Sequence, residues 1–291
     1  MELDYKHKIT DITSWLKQTV QNAGFTNVVI ALSGGIDSAV SATLAVRALG
    51  QEHVYVLLLP YGGLSKEGIK DGKKVAEFLK LPKENVYIVD IQTTVDQITQ
   101  VVIPNSPALS KVEGFRDLTQ NKKMLKQVQH DNKIVNDQSS KVNVRIGNIM
   151  ARIRMIYVYD FAKANNCLVI GTENKSEYYL GYFTRFGDEA SDLEPIRNLY
   201  KTQVREMGKF LGIPEEIIAK APTAGLWEGQ TDEKEFGFSY EEADSVLYHY
   251  FDEGLPEEAI SDLGIPKATV SKVLAWVVQN DFKHHLPKVF E

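Results

Sequence analysis

Ser33-Gly34-Gly35-Ile36-Asp37-Ser38 is the segment whose residue types and spacing point most directly to chemistry. It follows the apolar run Val28 to Leu32 and precedes the helix-forming stretch Ala39 to Val46. A strand, a glycine-rich turn and a helix start together make a geometry that holds a phosphate chain. Two glycines let the backbone approach closely and aim its N–H groups at one anion. The helix N-terminus adds partial positive charge at the same place. Ser33 and Ser38 supply hydroxyl donors. Asp37 would repel phosphates unless a hard cation such as Mg²⁺ lies between, held by oxygen ligands. The G-x-x-x-x-G-K-[ST] loop and the GxGxxG fingerprint are both absent.

A second set of polar residues runs from Gly147 to Glu233. Asn148 and Arg152 fall on one face of a helix. An arginine fork there can clamp a phosphate or a carboxylate. Glu173 and Glu177 bracket Lys175 in a loop after a strand. Either glutamate is placed to share a cation with Asp37 across a cleft. Gly181 to Asp188 and Asp192 to Pro195 follow. Lys201 opens a helix, where its charge opposes the helix dipole. That local conflict says the charge is wanted for an anion. Pro222 to Trp227 and Gly229 to Glu233 read as loops.

The elements that must carry these residues alternate along the chain. The first 25 residues read as an amphipathic helix, with Ile9, Ile12, Trp15, Leu16 and Val20 near helical spacing. Strands are expected at Val28–Leu32, Val54–Leu59, Val86–Ile91 and Cys167–Ile170. Helices are expected at Ser38–Leu49, Glu67–Leu79 and Val144–Ala164. Short, nearly all-apolar strands separated by helices imply an α/β fold: a doubly wound parallel sheet with helices on both faces. The C-terminal part reads as helical, at Lys201–Leu211, Tyr240–Tyr250, Pro256–Leu263 and Lys267–Gln279. Ligands of such sheets sit past the carboxyl ends of the strands, at a switch in strand order. Residues 1–291 are expected to form one domain, with a polar surface insertion at 104–141.

Composition narrows the classes. The 33 basic and 39 acidic residues leave the chain mildly acidic, against a dedicated nucleic-acid binder. Glu257 to Ser271 has the look of a helix-turn-helix, which makes a DNA-binding regulator the alternative from a different class, yet its helices carry few basic residues and the chain is acidic. No membrane span or signal peptide is legible, so a cytoplasmic location is expected. Cys167 is the only cysteine and reads as a buried strand residue.

The loop SGG-x-DS resembles the pyrophosphate loop of ATP pyrophosphatases, which split ATP between its α- and β-phosphates. The ordered set SGGIDS, GNIMARIRM, GTENKSE, GYFTRFGD, D-x-x-P, LYKTQV and KAPTAGLWEGQTDE resembles the NAD synthetase family. The resemblance covers Val28 to Leu247 apart from the insertion. It implies a ligase that makes NAD⁺ from deamido-NAD⁺, ATP and ammonia through an adenylated carboxylate. By that resemblance Ser33, Gly34, Gly35, Ile36, Asp37 and Ser38 would hold the pyrophosphate of ATP. Thr172, Lys201 and Thr223 would also contact ATP, and Asp37 and Glu177 would bind Mg²⁺. Asn148, Arg152, Arg185, Asp188, Asp192, Glu233 and Lys283 would line the dinucleotide site. Asp37, Lys201 and Asp188 would be the catalytic residues. The family also implies a homodimer with the dinucleotide site at its interface, and the long apolar-faced helix Val144–Ala164 is a candidate for that interface. Many members have lysine where this chain has Arg185, and only Lys283 matches the family's basic tail. With strand one at Val28 and a single thiol, no cysteine-dependent glutaminase is expected, so ammonia is free or partner-supplied. Within the same loop family, a GMP synthetase subunit is the alternative. A tRNA-modifying thiolase would want paired cysteines and a basic face, and both are missing.

Overall fold

The computed structural model describes residues 3–103, 132–227 and 229–285. The chain opens with α1 (Tyr5–Asn22), whose Ile9, Ile12, Leu16 and Val20 recur at helical spacing and are all buried, whereas Trp15, expected on the same face, lies exposed one position before Leu16. Asp4 caps it by accepting the His7 N–H at 3.0 Å. Then follow β1 (Asn27–Ala31), α2 (Ile36–Leu49), β2 (Val54–Leu58), α3 (Lys66–Phe78) and β3 (Val86–Ile88). Next come α4 (Gln92–Val102), α5 (Asn132–Asn165), β4 (Cys167–Ile170) and α6 (Lys175–Leu180). The remaining helices are α7 (Lys201–Leu211), α8 (Glu215–Ile218), α9 (Asp232–Phe236), α10 (Tyr240–Leu247), α11 (Glu257–Asp262) and α12 (Lys267–Asn280).

The four strands form one parallel sheet in the order β3-β2-β1-β4. The chain walks outward from β1 to β3 and then returns to place β4 on the other side of β1. The switch in strand order therefore lies between β1 and β4. Side chains alternate across the sheet. Val28, Ile30, Val54, Val56 and Leu58 pack under α1, α2, α3 and α7. Val29, Leu57, Cys167 and Val169 pack against Ile91, Val95, Met150 and Ile153 on the opposite face, under α4 and α5. Fully burying a side chain of this size contributes roughly 1.5–3 kcal/mol, so the strand ends are anchored from both faces. A third cluster, around Phe236, Tyr240, Val270 and Val273, holds the C-terminal helices together.

Several expected bounds move, each for a local reason. β3 ends at Ile88 rather than Ile91, although the N–H groups of Val89 and Ile91 still donate to the Leu58 and Pro60 carbonyls at 3.0 and 2.9 Å, and Asp90 shapes the turn into the next helix. Its Oδ1 accepts the N–H groups of Gln92 at 2.8 Å and Gly62 at 3.3 Å. The helix α4 that follows was not anticipated. Its sequence, QTTVDQITQVV, is crowded with β-branched residues of low helix propensity. The long helix α5 starts at Asn132 rather than Val144, so residues 132–141 of the expected insertion are helical. Residues 104–131 of that insertion lie outside the described residues. α1 stops at Asn22, and α2 starts two residues early, at Ile36 rather than Ser38. α10 ends at Leu247, and a π-helical turn, Tyr248–Asp252, takes the place of its last turn. Gly229 to Glu233 is not all loop, since α9 begins at Asp232. The spans of β4 and α7 agree with the sequence to the residue.

The pair α11 and α12 is tied into the fold. Ile260, Val270 and Val273 are buried in the third cluster, and Gly264 makes the turn at φ +94°. Among the described residues no helix is long and apolar enough to cross a membrane.

Candidate active site

Two loops meet at the switch point: residues 32–35 between β1 and α2, and residues 171–174 between β4 and α6. Gly34 sits at φ +81°, and α3 crowds its Cα. A Cβ there would lie 2.7 Å from the Gly68 carbonyl oxygen, 2.8 Å from Asp71 Cβ and 2.9 Å from the Gly72 nitrogen. Only glycine satisfies both demands. The serine hydroxyls brace the turn from inside. Ser33 Oγ lies 3.0 Å from Ser38 Oγ and accepts the Gly35 N–H at 3.2 Å, and Ser38 Oγ donates to the Gly35 carbonyl at 3.0 Å. Helix geometry leaves the N–H groups of Ile36, Asp37 and Ser38 without intrahelical acceptors. They form the positive end of α2 at the mouth of this loop.

Asp37 lies in the first turn of α2 and reaches across to the β4 side. Its Oδ1 accepts from Asn174 Nδ2 at 2.9 Å. Its Oδ2 pairs with Lys201 Nζ at 2.5 Å, and the same nitrogen meets Glu177 Oε1 at 3.0 Å. Two carboxylates from opposite sides of the switch thus converge on one cationic atom. Lys201 is nearly fully buried, and its ammonium lies 5.2 Å from the centre of the Tyr240 ring. Spacing left both Glu173 and Glu177 open for a cation shared with Asp37, and the resemblance named Glu177. The structure puts Glu177 on α6 beside Asp37 and turns Glu173 to Arg197, whose Nε donates to it at 2.7 Å. The anions that Lys201 meets here are the two carboxylates.

Burial dominates the electrostatics. Burial pushes the Glu177 carboxyl up, Lys201 pulls it down, and Asp37 and Asp232 add to the rise. Burial alone would discharge Lys201, but Asp37, Glu177 and Asp232 outweigh it and hold the ammonium charged. Glu173 is pushed up to about 8, chiefly by burial and against the pull of Arg197. Glu194, whose Oε2 accepts the Glu173 N–H at 3.2 Å, is pushed up to about 7 for the same reason. Burial also pushes the Cys167 thiol up to about 11, which suits a strand residue rather than a nucleophile.

A second wall forms where α5 meets residues 181–188. Thr184 Oγ1 donates to Asn148 Oδ1 at 2.8 Å, and Arg152 Nε donates to the Arg185 carbonyl at 3.2 Å. Asp188 Oδ1 accepts the Thr184 N–H at 3.0 Å. Arg185 donates to the His285 carbonyl, and Lys283 Nζ donates to the Gly181 and Phe183 carbonyls at 2.6 and 3.1 Å. Asn148 and Arg152 from α5, Arg185 and Asp188 from the 181–188 loop, and Lys283 are therefore brought together around that loop. Asp192 instead pins the edge of β4, accepting the Val169 N–H at 2.8 Å. Glu233 accepts the Tyr240 N–H at 3.2 Å, at the head of α10. Thr172 is half-buried beside Glu173, and Thr223 is exposed, with its hydroxyl accepting the Gly225 N–H at 3.1 Å. Lys220, three residues before Thr223, pairs with Asp71 of α3 at 2.7 Å.

Sequence reasoning missed Asn174. It is fully buried, donates to Asp37, and caps α6 by accepting the Glu177 N–H at 2.9 Å. The signal was present as Asn-x-x-Glu, a helix-start spacing. It also missed Asp244, whose Oδ2 accepts the Thr202 N–H at 2.8 Å and whose other oxygen binds Ser176. Ser176 Oγ in turn accepts the Lys201 N–H at 2.8 Å. Together they steady the α7 start that carries Lys201.

The NAD synthase family model matches residues 8–287. The chain belongs to the NAD synthase family. A relative named NH(3)-dependent NAD(+) synthetase, from Thermococcus kodakarensis, is 40% identical over 98% of this chain and 97% of its own length. A solved structure described as an NMN synthetase from Francisella tularensis is similar at 31% identity, covers 99% of both chains and has a TM-score of 0.76. An NH3-dependent NAD synthetase from Campylobacter jejuni is similar at 28% identity, covering 99% of this chain and all of its own, with a TM-score of 0.70. The sheet and helices described above are those of a Rossmann-like NAD synthetase.

Proposed function

We propose that the protein amidates deamido-NAD⁺ with ammonia, at the expense of ATP, to give NAD⁺, AMP and pyrophosphate. The convergence of Asp37, Glu177 and Lys201 at the head of α2 is the observation that carries this reading. An anion-binding helix start, two carboxylates and an ammonium are what a triphosphate with its cation requires. The curated relatives support ammonia as the nitrogen source, since they match nearly the whole chain.

In this reading the nicotinate carboxylate attacks the α-phosphorus, and the bond to the β-phosphate breaks as pyrophosphate leaves. Ammonia then attacks the acyl carbon, AMP leaves, and a proton goes to solvent. The N–H groups at Ile36, Asp37 and Ser38 hold the departing pyrophosphate, and Lys201 neutralises its charge. Asn148, Arg152, Arg185, Asp188, Asp192, Glu233 and Lys283 hold and orient the dinucleotide, and Thr172 and Thr223 the adenosine half of ATP. Asp37 and Glu177 fit Mg²⁺. Both offer hard oxygen donors to one shared cation position, and Mg²⁺ uses one or two carboxylates together with phosphates. When bound, Mg²⁺ offsets phosphate charge. Exposed apolar residues on α4 and α5, among them Val101, Val144 and Ile156, support a homodimer through that face.

The test is product analysis with purified protein, ATP, Mg²⁺ and ammonium. Deamido-NAD⁺ should give NAD⁺ and AMP, and glutamine should not replace ammonium. A preference for the deamido mononucleotide would shift the substrate toward that of an NMN synthetase. ADP as product would contradict the adenylation.

A further inference from the structure

Among the described residues, Lys201 is the one cation paired with either Asp37 or Glu177. It sits where a divalent ion would have to sit to touch both oxygens. At 2.5 and 3.0 Å its ammonium takes the facing oxygen of each carboxylate. A divalent ion and an ammonium in the same small pocket repel one another, and burial weakens the screening. Lys201 cannot simply swing out to solvent, because its side chain is buried and its ammonium already lies over the Tyr240 ring. It needs another anion to move to, and Asp232, the third carboxylate acting on it, already accepts from Tyr182, Tyr240 and the Ala224 N–H. The α2 start, which also carries Asp37, is where phosphate oxygens would arrive.

We propose that Lys201 is an internal counter-ion: it keeps a divalent cation off Asp37 and Glu177 until the phosphates of ATP draw its ammonium away. The metal then enters with the nucleotide rather than before it. By linkage, each tightens the binding of the other. The inference rests on the reading of Asp37 and Glu177 as the metal's ligands. It adds to that reading a reason why the ligand pair is closed in the absence of nucleotide.

The test reads metal binding alone, with no nucleotide and no turnover. Mn²⁺ serves as the probe, and free Mn²⁺ is followed by electron paramagnetic resonance. Lys201→Met keeps the length and apolar stem of the side chain and removes its charge. The variant should bind Mn²⁺ at least about tenfold more tightly than the unaltered protein, equal to about 1.4 kcal/mol. Adding Asp37→Asn to Lys201→Met should abolish the gain. No gain, or a gain that survives Asp37→Asn, would overturn the inference. So would an Asp37-dependent Mn²⁺ site of equal affinity in the unaltered protein. If Lys201→Met does not fold, Lys201→Gln carries the same comparison. NAD⁺ formation by the Asp37→Asn single variant tests the metal-ligand reading separately. A normal rate there would remove that reading, whereas a lost rate with no gain in Lys201→Met would remove only the counter-ion.

Discussion

Asn174→Ala removes one buried amide that touches both halves of the carboxylate pair. Its Oδ1 caps α6, and its Nδ2 donates to Asp37. Loss of the cap costs about 1 kcal/mol. Loss of a hydrogen bond to a charged acceptor costs about 1.5–3 kcal/mol. The lower end applies, because Asp37 keeps Lys201 and is 17% exposed. The sum is about 2.5 kcal/mol, which for a chain of this length lowers Tm by about 5 °C. Urea unfolding should show the loss as a shifted midpoint with an unchanged slope. Turnover should fall further than stability explains, by about 10²-fold in kcat/KM, because a misplaced Asp37 need move only about 1 Å. Asn174→Asp separates the two roles. Aspartate caps a helix as well as asparagine does, but it presents Asp37 with a carboxylate instead of a donor. It should lose at least as much activity as the alanine variant. A stability loss for Asn174→Ala below about 0.5 kcal/mol, or a normal kcat for Asn174→Asp, would refute the reasoning.

Three further outcomes are expected. Gly34→Ala should destabilise the protein by at least about 2 kcal/mol, from the left-handed φ and the clash with α3 backbone. Calorimetry with an ATP analogue should also show lost binding; unaltered affinity would separate this loop from the nucleotide. Asp37→Ala should lower kcat by about 10²-fold or more, and a near-normal rate in a quenched assay would contradict its role. Glu173→Gln should flatten the pH dependence of stability. The folded carboxyl is raised from 4.5 to about 8, so the folded state binds the extra proton, and stability falls as pH rises from 4.5 to 8. Urea midpoints across that range should decline less in the variant, and parallel profiles would count against a buried Glu173.

The fold was legible because its strands are short apolar runs and its helices carry apolar periods. β4 and α7 were read to the residue, and the switch point followed from the alternation. α4 was not legible, because β-branched residues hide a helix that tertiary packing against α5 imposes. The start of α5 was not legible either, because its first turns are too polar to show a period. At the site, residue types gave the carboxylate, the glycines and the lysine. They did not give pairings. Spacing alone could not choose between Glu173 and Glu177, since both follow β4 within seven residues; only the family resemblance named Glu177. The choice depends on α6 beginning at Lys175, one residue after a buried asparagine cap. The two serines were expected as phosphate donors, and the loop spends their hydroxyls on its own turn. Those bonds all run among Ser33, Gly35 and Ser38, and residue types alone do not say whether a hydroxyl serves the turn or a ligand.

The most direct test of the account is the fate of oxygen in the carboxylate. Deamido-NAD⁺ labelled with ¹⁸O in the nicotinate carboxyl should pass one labelled oxygen to AMP as ammonia displaces it, and mass spectrometry should find none in pyrophosphate. Label in inorganic phosphate or pyrophosphate, or AMP without label while NAD⁺ accumulates, would contradict attack of that carboxylate on the α-phosphorus at the Asp37–Glu177–Lys201 site.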